Sequence, residues 1–464
     1  MLRHKKYAIK LAVFLAILGA ALGTVNRLLI PKYYYNSDWP TTSTYLDFYN
    51  MERNSVDVLF MGSSHCAAAF SPLELYREYN IRSYNLGCEQ QNLLVSYYWL
   101  SEALRFQSPE YVFLDTFMLF PYNKNEILNS AEEATRKAMD IMKWSWVKAE
   151  AVYDICRLDT SQKLSSYLFP NERFHTRWKG LYEDDFTMRT IAEHETLMGF
   201  RPLDFNIDIE GYQTFGEISA AETEYEEMVP SMLVYLDKIV ELCAKKNIRL
   251  VLVKTPTMFY SREAYNTVRM YALEHDLEYL DFNEEELYAA AGLDFKVDSC
   301  DTDHVSVSGA KKVSDYLGKW LTSEGISGRV DGQWEKRVLY DEHRLRDENL
   351  KKITDYDQYM QAIQDKDYCI FTAVSGETLL NCYTVTDGGE VLAEKSGQDA
   401  IEGQGTVRNG LTRYHIDSSA VTIDGGVYAL SQNGMNIVVY CKEKRRVIDR
   451  VFFVMNDGKM ECIR

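Results

Sequence analysis

A short polar segment near residue 63 carries residue types that could perform nucleophilic chemistry. Ser63, Ser64 and His65 follow Gly62 at the end of the apolar run Val56–Met61. A run of this kind predicts a fully buried strand. A serine on a tight turn after such a strand is where an α/β enzyme exposes a nucleophile. Because glycine and serine also form ordinary turns, the segment alone leaves a plain strand-to-loop connection open.

A second polar segment, about 240 residues downstream, carries the groups that such a serine needs. Asp301 and His304 lie just before a predicted helix. A serine hydroxyl is a poor nucleophile until a histidine accepts its proton, and a carboxylate holds that histidine in the productive tautomer. An aspartate and a histidine three residues apart can pair directly. The alternative is a helix-capping segment, in which Ser306 and Ser308 supply the cap.

Alternating strand and helix patterns place both segments in one α/β region and predict a parallel, doubly wound sheet. The predicted strands are Val56–Met61, Ser83–Gly87, Tyr111–Asp115, Arg249–Lys254 and Leu277–Asp281. The predicted helices are Pro72–Tyr79, Asn92–Phe106, Val229–Lys246, 261–275 and Ser308–Leu321.

The alternation is interrupted by an insertion at about 118–228, which has no strong strand pattern. It contains helical stretches such as Ala131–Trp144. An insertion of this size sits where a lid or a substrate wall lies above a sheet.

The N-terminal residues 1–31 predict a short cytoplasmic tip and a transmembrane signal anchor. A basic tip precedes the stretch Tyr7–Val25, whose single charge is Lys10. A cleaved signal peptide is the alternative, but no A-x-A site ends the apolar run. The excess of positive charge before it predicts a cytoplasmic N-terminus and an extracytoplasmic body, joined by a lead-in at 32–54. No later stretch is long and apolar enough to span a membrane.

Composition limits the classes of partner. The 464 residues carry a formal net charge of -18, which argues against non-specific nucleic-acid binding because that requires a basic surface. The nine cysteines include no C-x-x-C motif, so neither a zinc knuckle nor a thioredoxin-type site is indicated. Four of them follow residue 365 and permit one or two disulfides in that region.

The C-terminal part of the chain has a different pattern. Residues 325–346 are polar and charged and predict a linker after the α/β domain at 55–324. From 347 to 464, short apolar runs alternate with turn signals, which predicts a separate, small, β-rich domain.

The two polar segments together resemble the SGNH (GDSL-type) hydrolases. The resemblance rests on Gly62-Ser63-Ser64-His65 and on the D-x-x-H of Asp301 and His304, and it covers roughly residues 55–322. It implies a flavodoxin-like three-layer domain that uses no metal or cofactor. It also implies that Ser64 is the nucleophile, His304 the general base and then acid, and Asp301, in preference to Asp303, the orienting carboxylate.

The same resemblance implies an oxyanion hole and shows where this chain departs from the family. The backbone amides of Ser64 and Gly87 are the expected donors, and Asn85 and Thr116 are expected to contact substrate. The family's third block supplies an asparagine after the third strand, but here that strand is followed by Thr116 and Phe117. Either Thr116 or another group replaces the missing donor, or the hole has two donors.

These departures resemble the D-alanyl-lipoteichoic acid biosynthesis proteins and the SGNH-like O-acetyltransferases of exopolysaccharide systems. Such proteins work beside a membrane-bound O-acyltransferase and move acyl groups on cell-surface polymers. His175 and Arg177, in the segment HTRW, resemble an H-x-R-W segment of some of these relatives, which implies contact with an acceptor glycan. A buried structural His–Arg pair is the alternative.

The C-terminal domain resembles the interleukin-like EMT inducer domain, through the segments KDYCIFTAVSGE and NGMNIVVYCKEKRRVIDRVFFV. The resemblance implies glycan positioning, and a passive structural appendage is the alternative.

Two functions follow from these expectations. The first is an anchored serine acyltransferase or esterase that acts on a surface polysaccharide or teichoic-acid-like polymer through an acyl-serine. The second is a catalytically degenerate assembly factor that binds surface glycan or partners a membrane-bound O-acyltransferase.

Overall fold

A computed structural model describes most of the chain as two compact units, Met1–Val338 and Leu339–Arg464. The described residues are 2–31, 40–122, 127–181, 183–186, 196–205, 207, 209–216, 224–376, 381–397, 401–407, 410–417 and 419–464. Parts of the predicted lead-in (32–39) and of the predicted insertion (123–126, 182, 187–195, 206, 208 and 217–223) lie outside them.

The first unit begins with helix α1 (Leu2–Leu29). Its stretch Ile9–Leu29 has a mean hydropathy of 1.9 and none of its most apolar part is buried against the protein. At 1.5 Å per residue these 21 residues span about 30 Å, the thickness of a bilayer's hydrocarbon core. Among the described residues, α1 is the one helix long and apolar enough to cross a membrane, as predicted for residues 1–31.

A parallel sheet forms the centre of the first unit. Its strand order is β2-β1-β3-β4-β5, and each neighbouring pair is parallel. This order places a topological switch between β1 and β3, at whose carboxyl ends ligands bind in open α/β sheets. The predicted parallel α/β sheet is confirmed, with strand ends within two residues of those expected. The strands are β1 (Val58–Gly62), β2 (Ser83–Gly87), β3 (Tyr111–Asp115), β4 (Arg249–Lys254) and β5 (Glu278–Asp281).

Helices cover both faces of this sheet. On one face Leu59 and Met61 pack with helices that include α5 and α10, and on the other Val58 and Phe60 pack with helices that include α3 and α14. The alternation follows from the two-residue period of a strand. The helices are α2 (Pro40–Phe48), α3 (Ser64–Ala69), α4 (Pro72–Tyr79), α5 (Leu93–Ala103), α6 (Glu132–Ile141), α7 (Trp146–Leu158), α8 (Leu164–Leu168), α9 (Asn171–Phe174), α10 (Pro230–Lys246), α11 (Arg262–Glu274), α12 (Glu285–Ala290), α13 (Phe295–Asp298) and α14 (Val307–Ser323).

The insertion between β3 and α10 is helical where it is described. It contains α6 to α9 and the 3-10 segments His175–Lys179 and Glu183–Phe186. The described residues of 118–228 contain no strand beyond an isolated bridge between Phe215 and Glu284, in agreement with the sequence pattern.

The segment predicted as a linker is largely helical. Helix α15 (Gly332–Leu350) occupies most of 325–346, and the sequence pattern did not predict this helix. The physical reason is burial. Trp334 is fully buried, and Arg337, 1% exposed, pairs with Asp47, which is also buried. The polar composition of the segment gave no indication that these two residues are buried.

The second unit is rich in antiparallel β-structure, as predicted. One sheet has the order β15-β14-β13-β6-β7-β8 and the other the order β12-β11-β10-β9. Helix α16 (Tyr356–Ala362) packs on the larger sheet through Tyr359 and Phe453. The strands are β6 (Tyr368–Ser375), β7 (Cys382–Asp387), β8 (Glu390–Ser396), β9 (Ile401–Val407), β10 (Gly410–Ile416), β11 (Ala420–Ile423), β12 (Gly426–Ala429), β13 (Gly434–Cys441), β14 (Arg446–Asn456) and β15 (Lys459–Ile463).

The cysteines form no disulfide. All nine lie among the described residues, and none is bonded to another. The one or two bridges that the sequence permits after residue 365 are therefore not present.

We expect Arg337→Met to destabilise the first unit by about 3–5 kcal/mol, because it leaves the Asp47 carboxylate buried and unpaired. Nη1 of Arg337 lies 2.5 Å from Oδ2 of Asp47. Urea unfolding followed by tryptophan fluorescence isolates this unit, since all seven tryptophans precede residue 339. Lys336→Met, at an exposed neighbour, is the matched control and should change the free energy of unfolding by less than about 0.5 kcal/mol. Equal effects of the two variants would contradict the role of the buried pair.

Candidate active site

The first turn of α3 presents Ser64 at the carboxyl end of β1. Ser63 is the N-cap of this helix, and its Oγ accepts the N–H of His65 at 3.3 Å. Ser63 is buried, whereas Ser64 is partly exposed. The sequence left both serines open until the family register selected Ser64, and the structure gives the two serines different positions: one faces the protein and one faces the site.

The carboxylate of Asp115, at the end of β3, holds this turn in place. Its Oδ2 accepts the N–H of Ser63 at 3.1 Å and the Ser63 hydroxyl at 2.5 Å. Its Oδ1 accepts the N–H of Phe117 at 3.2 Å. Gly62 has a φ of +148°, and a Cβ added there would lie 2.4 Å from Cβ of Asp115. Glycine is therefore required for the close approach of the two strand ends.

Ser64, His304 and Asp301 meet in the geometry of a catalytic triad. Nε2 of His304 lies 2.8 Å from Oγ of Ser64. Nδ1 of the same ring lies 3.1 Å from both carboxylate oxygens of Asp301. Since a carboxylate accepts, Nδ1 carries the proton and Nε2 is the acceptor for the Ser64 hydroxyl. The three predicted residues are thus brought together across 240 residues of sequence.

Asp301 is fixed by the turn on which it lies. Its Oδ1 accepts the backbone N–H groups of Asp303 at 2.8 Å and of His304 at 2.7 Å. Burial acts to raise the pKa of the Asp301 carboxyl, but the His304 ring and these N–H groups outweigh it and hold that pKa below its usual range. The carboxylate is therefore ionised when His304 must accept a proton. Asp303 instead accepts the hydroxyl of Thr257 at 3.0 Å.

His65 points away from the opening of the site and is only 2% exposed. Its ring stacks on Phe117 at 3.9 Å and lies 4.9 Å from the His304 ring. Nδ1 is 3.5 Å from Nζ of Lys254, which can only donate, so we place the ring proton on Nε2, 3.9 Å from Asp303. Burial, with Lys254 and His304, holds the pKa of His65 well below its usual value, so the ring is neutral.

A buried charged layer lies beneath this ring, at the ends of β4 and β5. Lys254 is fully buried, and its Nζ lies 4.4 Å from the centre of the Phe117 ring. Burial lowers the pKa of Lys254, and the carboxylates of Asp115, Asp281 and Asp303 act in the opposite direction. Asp281 is also fully buried, and burial raises its pKa to about 6, against the hydrogen bonds that it accepts.

Gly87 does not offer the oxyanion donor that the resemblance implied. Its N–H donates to Oδ1 of Asn85 at 2.9 Å. A Cβ at Gly87 would lie 2.7 Å from the backbone N of Ala67, so close packing explains this glycine. The Ser64 N–H, in contrast, belongs to the first turn of α3, where amides have no partner within the helix. It is the one predicted donor that keeps the expected position.

Asn85 and Thr116 hold the fold together rather than a substrate. Nδ2 of Asn85 donates to the carbonyls of Cys66 at 2.8 Å and Phe70 at 2.9 Å. The Thr116 hydroxyl donates to the carbonyl of Val253 at 3.4 Å, and Thr116 is fully buried. The expectation that these two side chains contact substrate is wrong for this arrangement, because both residues are fully buried and their polar atoms are hydrogen-bonded within the protein.

His175 and Arg177 are not brought to the triad. Nη1 of Arg177 donates to the carbonyl of Leu29, the last residue of α1, at 2.7 Å, and Nη2 pairs with Asp185 at 2.9 Å. Nδ1 of His175 lies 3.0 Å from the carbonyl of Glu172. The implied contact with an acceptor glycan is not supported. The alternative of a buried His–Arg pair is not supported either, because His175 is exposed and Arg177 pairs with Asp185.

A cavity of about 330 Å³ opens beside the triad. Phe117, which stacks on His65, and Asp303, which neighbours His304, form one side of it. Half of its other lining residues are aromatic, namely Phe120, Tyr122, Phe259 and Tyr260. A site of this size and polarity accommodates a small acyl group or part of a sugar. Among the described residues no group of three or more His, Cys, Asp or Glu has metal-binding geometry.

No family model matches the chain, and no curated protein matches it.

Sequence reasoning missed the residues that support the triad from below. Asp115 and Lys254 end two predicted strands, and charged residues at the carboxyl ends of buried parallel strands were the available signal. No sequence signal predicted the burial of His65, because the directions of neighbouring side chains on a turn depend on the three-dimensional geometry of that turn.

Asp281 gives a pH-dependent signature of the buried layer. A folded-state pKa of about 6, against 3.8 ordinarily, means that the native state keeps a proton that the unfolded chain has lost. The stability from this group is complete below pH 3.8 and is lost as the pH rises through 6, a loss of about 3 kcal/mol. We expect Asp281→Asn to remove this part of the pH dependence between pH 4 and 7, measured by urea unfolding. Parallel pH profiles for wild type and variant would contradict the assignment.

Proposed function

We propose that the protein is a serine acyltransferase or esterase that transfers acyl groups through an acyl-Ser64 intermediate. The observation that carries the proposal is the pair of contacts made by His304: 2.8 Å from Nε2 to Oγ of Ser64, and 3.1 Å from Nδ1 to the Asp301 carboxylate. A histidine so placed can remove the serine proton and be stabilised as an imidazolium by the carboxylate.

The reaction proceeds in two halves. Oγ of Ser64 attacks the acyl carbonyl while Nε2 of His304 takes its proton, and Asp301 stabilises the charged ring. The Ser64 N–H donates to the oxyanion, and His304 then returns the proton to the leaving group. In the second half His304 activates a hydroxyl of a sugar or polyol, or a water, which attacks the acyl-serine and frees Ser64. The aromatic cavity beside Phe117 holds the acyl or acceptor group.

The proposed family is the SGNH type, in its membrane-anchored branch that resembles D-alanyl-lipoteichoic acid biosynthesis proteins and polysaccharide O-acetyltransferases. The strand order 2-1-3-4-5, with helices on both faces, supports this family. The apolar helix α1 supports a single-pass anchor, and the basic residues before it favour an extracytoplasmic body. The substrate class is then a surface polysaccharide or a teichoic-acid-like polymer, with a membrane-bound O-acyltransferase as a partner and the β-rich C-terminal unit as a glycan-positioning domain.

A catalytically degenerate assembly factor is the second candidate. The observation that favours it is the oxyanion hole, in which the Gly87 N–H is bonded to Asn85 and the Thr116 hydroxyl to Val253. One remaining donor stabilises an oxyanion less than two or three, since removal of a single donor from such a hole costs about 100- to 1,000-fold in rate. Such a protein would bind polymer or partner through the same surfaces without turnover.

A fluorophosphonate probe tests the nucleophile. We expect wild type to be labelled, Ser64→Ala to be unlabelled, and His304→Ala to react at least about 100-fold more slowly because the general base is gone. Ser323→Ala, at an exposed serine at the end of α14, is the matched control. It removes a serine hydroxyl far from Ser64 along the chain and leaves Ser63, Ser64 and His304 intact, so its label should remain. Equal labelling of wild type and Ser64→Ala would show that Ser64 is not the nucleophile.

Acylation of the surface polymer in cells separates the two candidates. We expect a deletion strain complemented with Ser64→Ala or His304→Ala to show loss of polymer acylation, with the protein present at wild-type abundance. If both variants restore acylation as wild type does, the assembly factor is the correct function, because the chain is then needed without its triad.

A further inference from the structure

Large apolar side chains lie exposed around the end of α1. We call this set the collar and define it as Trp144, Leu168, Phe169, Trp178 and Phe186. Each is at least 48% exposed, and three of the five exceed 60%. Single exposed apolar residues are ordinary on a protein surface, but a cluster of this kind marks a surface that meets a partner or a membrane.

The collar is attached to the end of α1 rather than scattered over the unit. Helix α9 and both 3-10 segments of the insertion contact α1, and they carry Trp178 and Phe186. The Arg177 guanidinium clamps this junction by donating to the carbonyl of Leu29. Trp144 and Leu168 line the same groove, of about 320 Å³, as Asn26 and Ile30 near the end of α1.

The length of α1 places the collar at the depth of a bilayer's interface. The apolar stretch Ile9–Leu29 matches the hydrocarbon thickness, so a chain that spans the bilayer leaves it at about Leu29. The residues that contact Leu29 and its neighbours then lie at the level of the lipid headgroups. Tryptophan is enriched at this level because its ring combines an apolar body with a polar N–H.

We propose that the collar rests in the interfacial layer of the leaflet from which α1 emerges, with lipid as its occupant. The inference goes beyond the proposed function and requires that α1 spans the membrane. Continuity with α1 favours lipid over a protein partner, since the collar starts where the span ends. Lys143 and Lys179 are exposed beside it, and Nζ of Lys179 lies 5.8 Å from the Trp178 ring, which suits cations at headgroup depth.

Two membrane contacts, α1 and the collar, would fix the tilt of the first unit on the bilayer. A single membrane-spanning helix does not by itself fix that tilt. The insertion that carries the collar starts at about residue 118, directly after Phe117, which lines the cavity beside the triad. Through the collar, the insertion therefore also sets the height and orientation of the candidate active site above the membrane.

Depth-dependent fluorescence quenching tests the proposal on the full chain. The chain is reconstituted into phosphatidylcholine vesicles whose acyl chains are brominated either near the headgroup or near the bilayer centre. We expect the double variant Trp144→Phe/Trp178→Phe to lose about half or more of the quenching by shallow bromines, because two interfacial tryptophans are gone. Trp320→Phe, in α14 of the α/β core, is the matched control and should retain it.

Each other outcome overturns the proposal. Unchanged shallow quenching in the double variant would place the collar outside the lipid. Stronger quenching of the collar tryptophans by central bromines would mean insertion into the core rather than an interfacial seat. If the chain does not float with the vesicles, α1 does not span the bilayer and the premise of the proposal fails. Self-association that depends on Trp178, without lipid quenching, would make a second copy of the chain the occupant. Circular dichroism verifies that both variants are folded.

Discussion

The carboxylate of Asp115 is the constraint on which the site depends. It receives three hydrogen bonds, from the N–H and hydroxyl of Ser63 and from the N–H of Phe117. These bonds tie the end of β1 to the end of β3 at the switch point of the sheet. The approach is so close that Gly62 leaves no room for a side chain. Ser64 can face His304 because hydrogen bonds to Asp115 fix its neighbour Ser63.

Behind the Asp115 carboxylate, charged side chains at the carboxyl ends of the strands are buried rather than exposed. Lys254 and Asp281 are both fully buried at the ends of adjacent strands, and the ring of His65 lies over Lys254 as a neutral group. In such surroundings a charge acts more strongly than in water. Asp301 is nearer to solvent, and its pKa is held below the usual range. It is therefore the carboxylate that supports the His304 ring.

The sequence could predict the strands and the parallel sheet because each depends on local patterns, and the resemblance to SGNH hydrolases selected Ser64, Asp301 and His304, which the structure brings together. Apolar runs define β1 to β5, and D-x-x-H places Asp301 and His304 on one turn. The roles expected for Gly87 and Thr116 failed for a non-local reason. The direction of the Asn85 amide, set by two carbonyls of α3 and the residue after it, decides whether the Gly87 amide is available.

The same distinction explains one unpredicted helix and one further correction. The polar segment 325–346 gave no sign of a helix because its anchors, Trp334 and Arg337, act through distant partners such as Asp47. Arg177 was expected to meet a glycan, but its position depends on where α1 ends against the insertion, and no local pattern encodes that contact. Long-range pairing therefore set the limit of prediction in both cases.

The most direct test of the central claim is to identify the residue that becomes acylated. Full-length protein is incubated with p-nitrophenyl acetate, quenched in acid, digested and examined by mass spectrometry. The account predicts a transient acetyl ester on Ser64 that is absent when His304 is replaced by alanine. An acetyl group found only on Ser63, on a lysine or on His65, or no adduct under conditions in which p-nitrophenol is released, would contradict it.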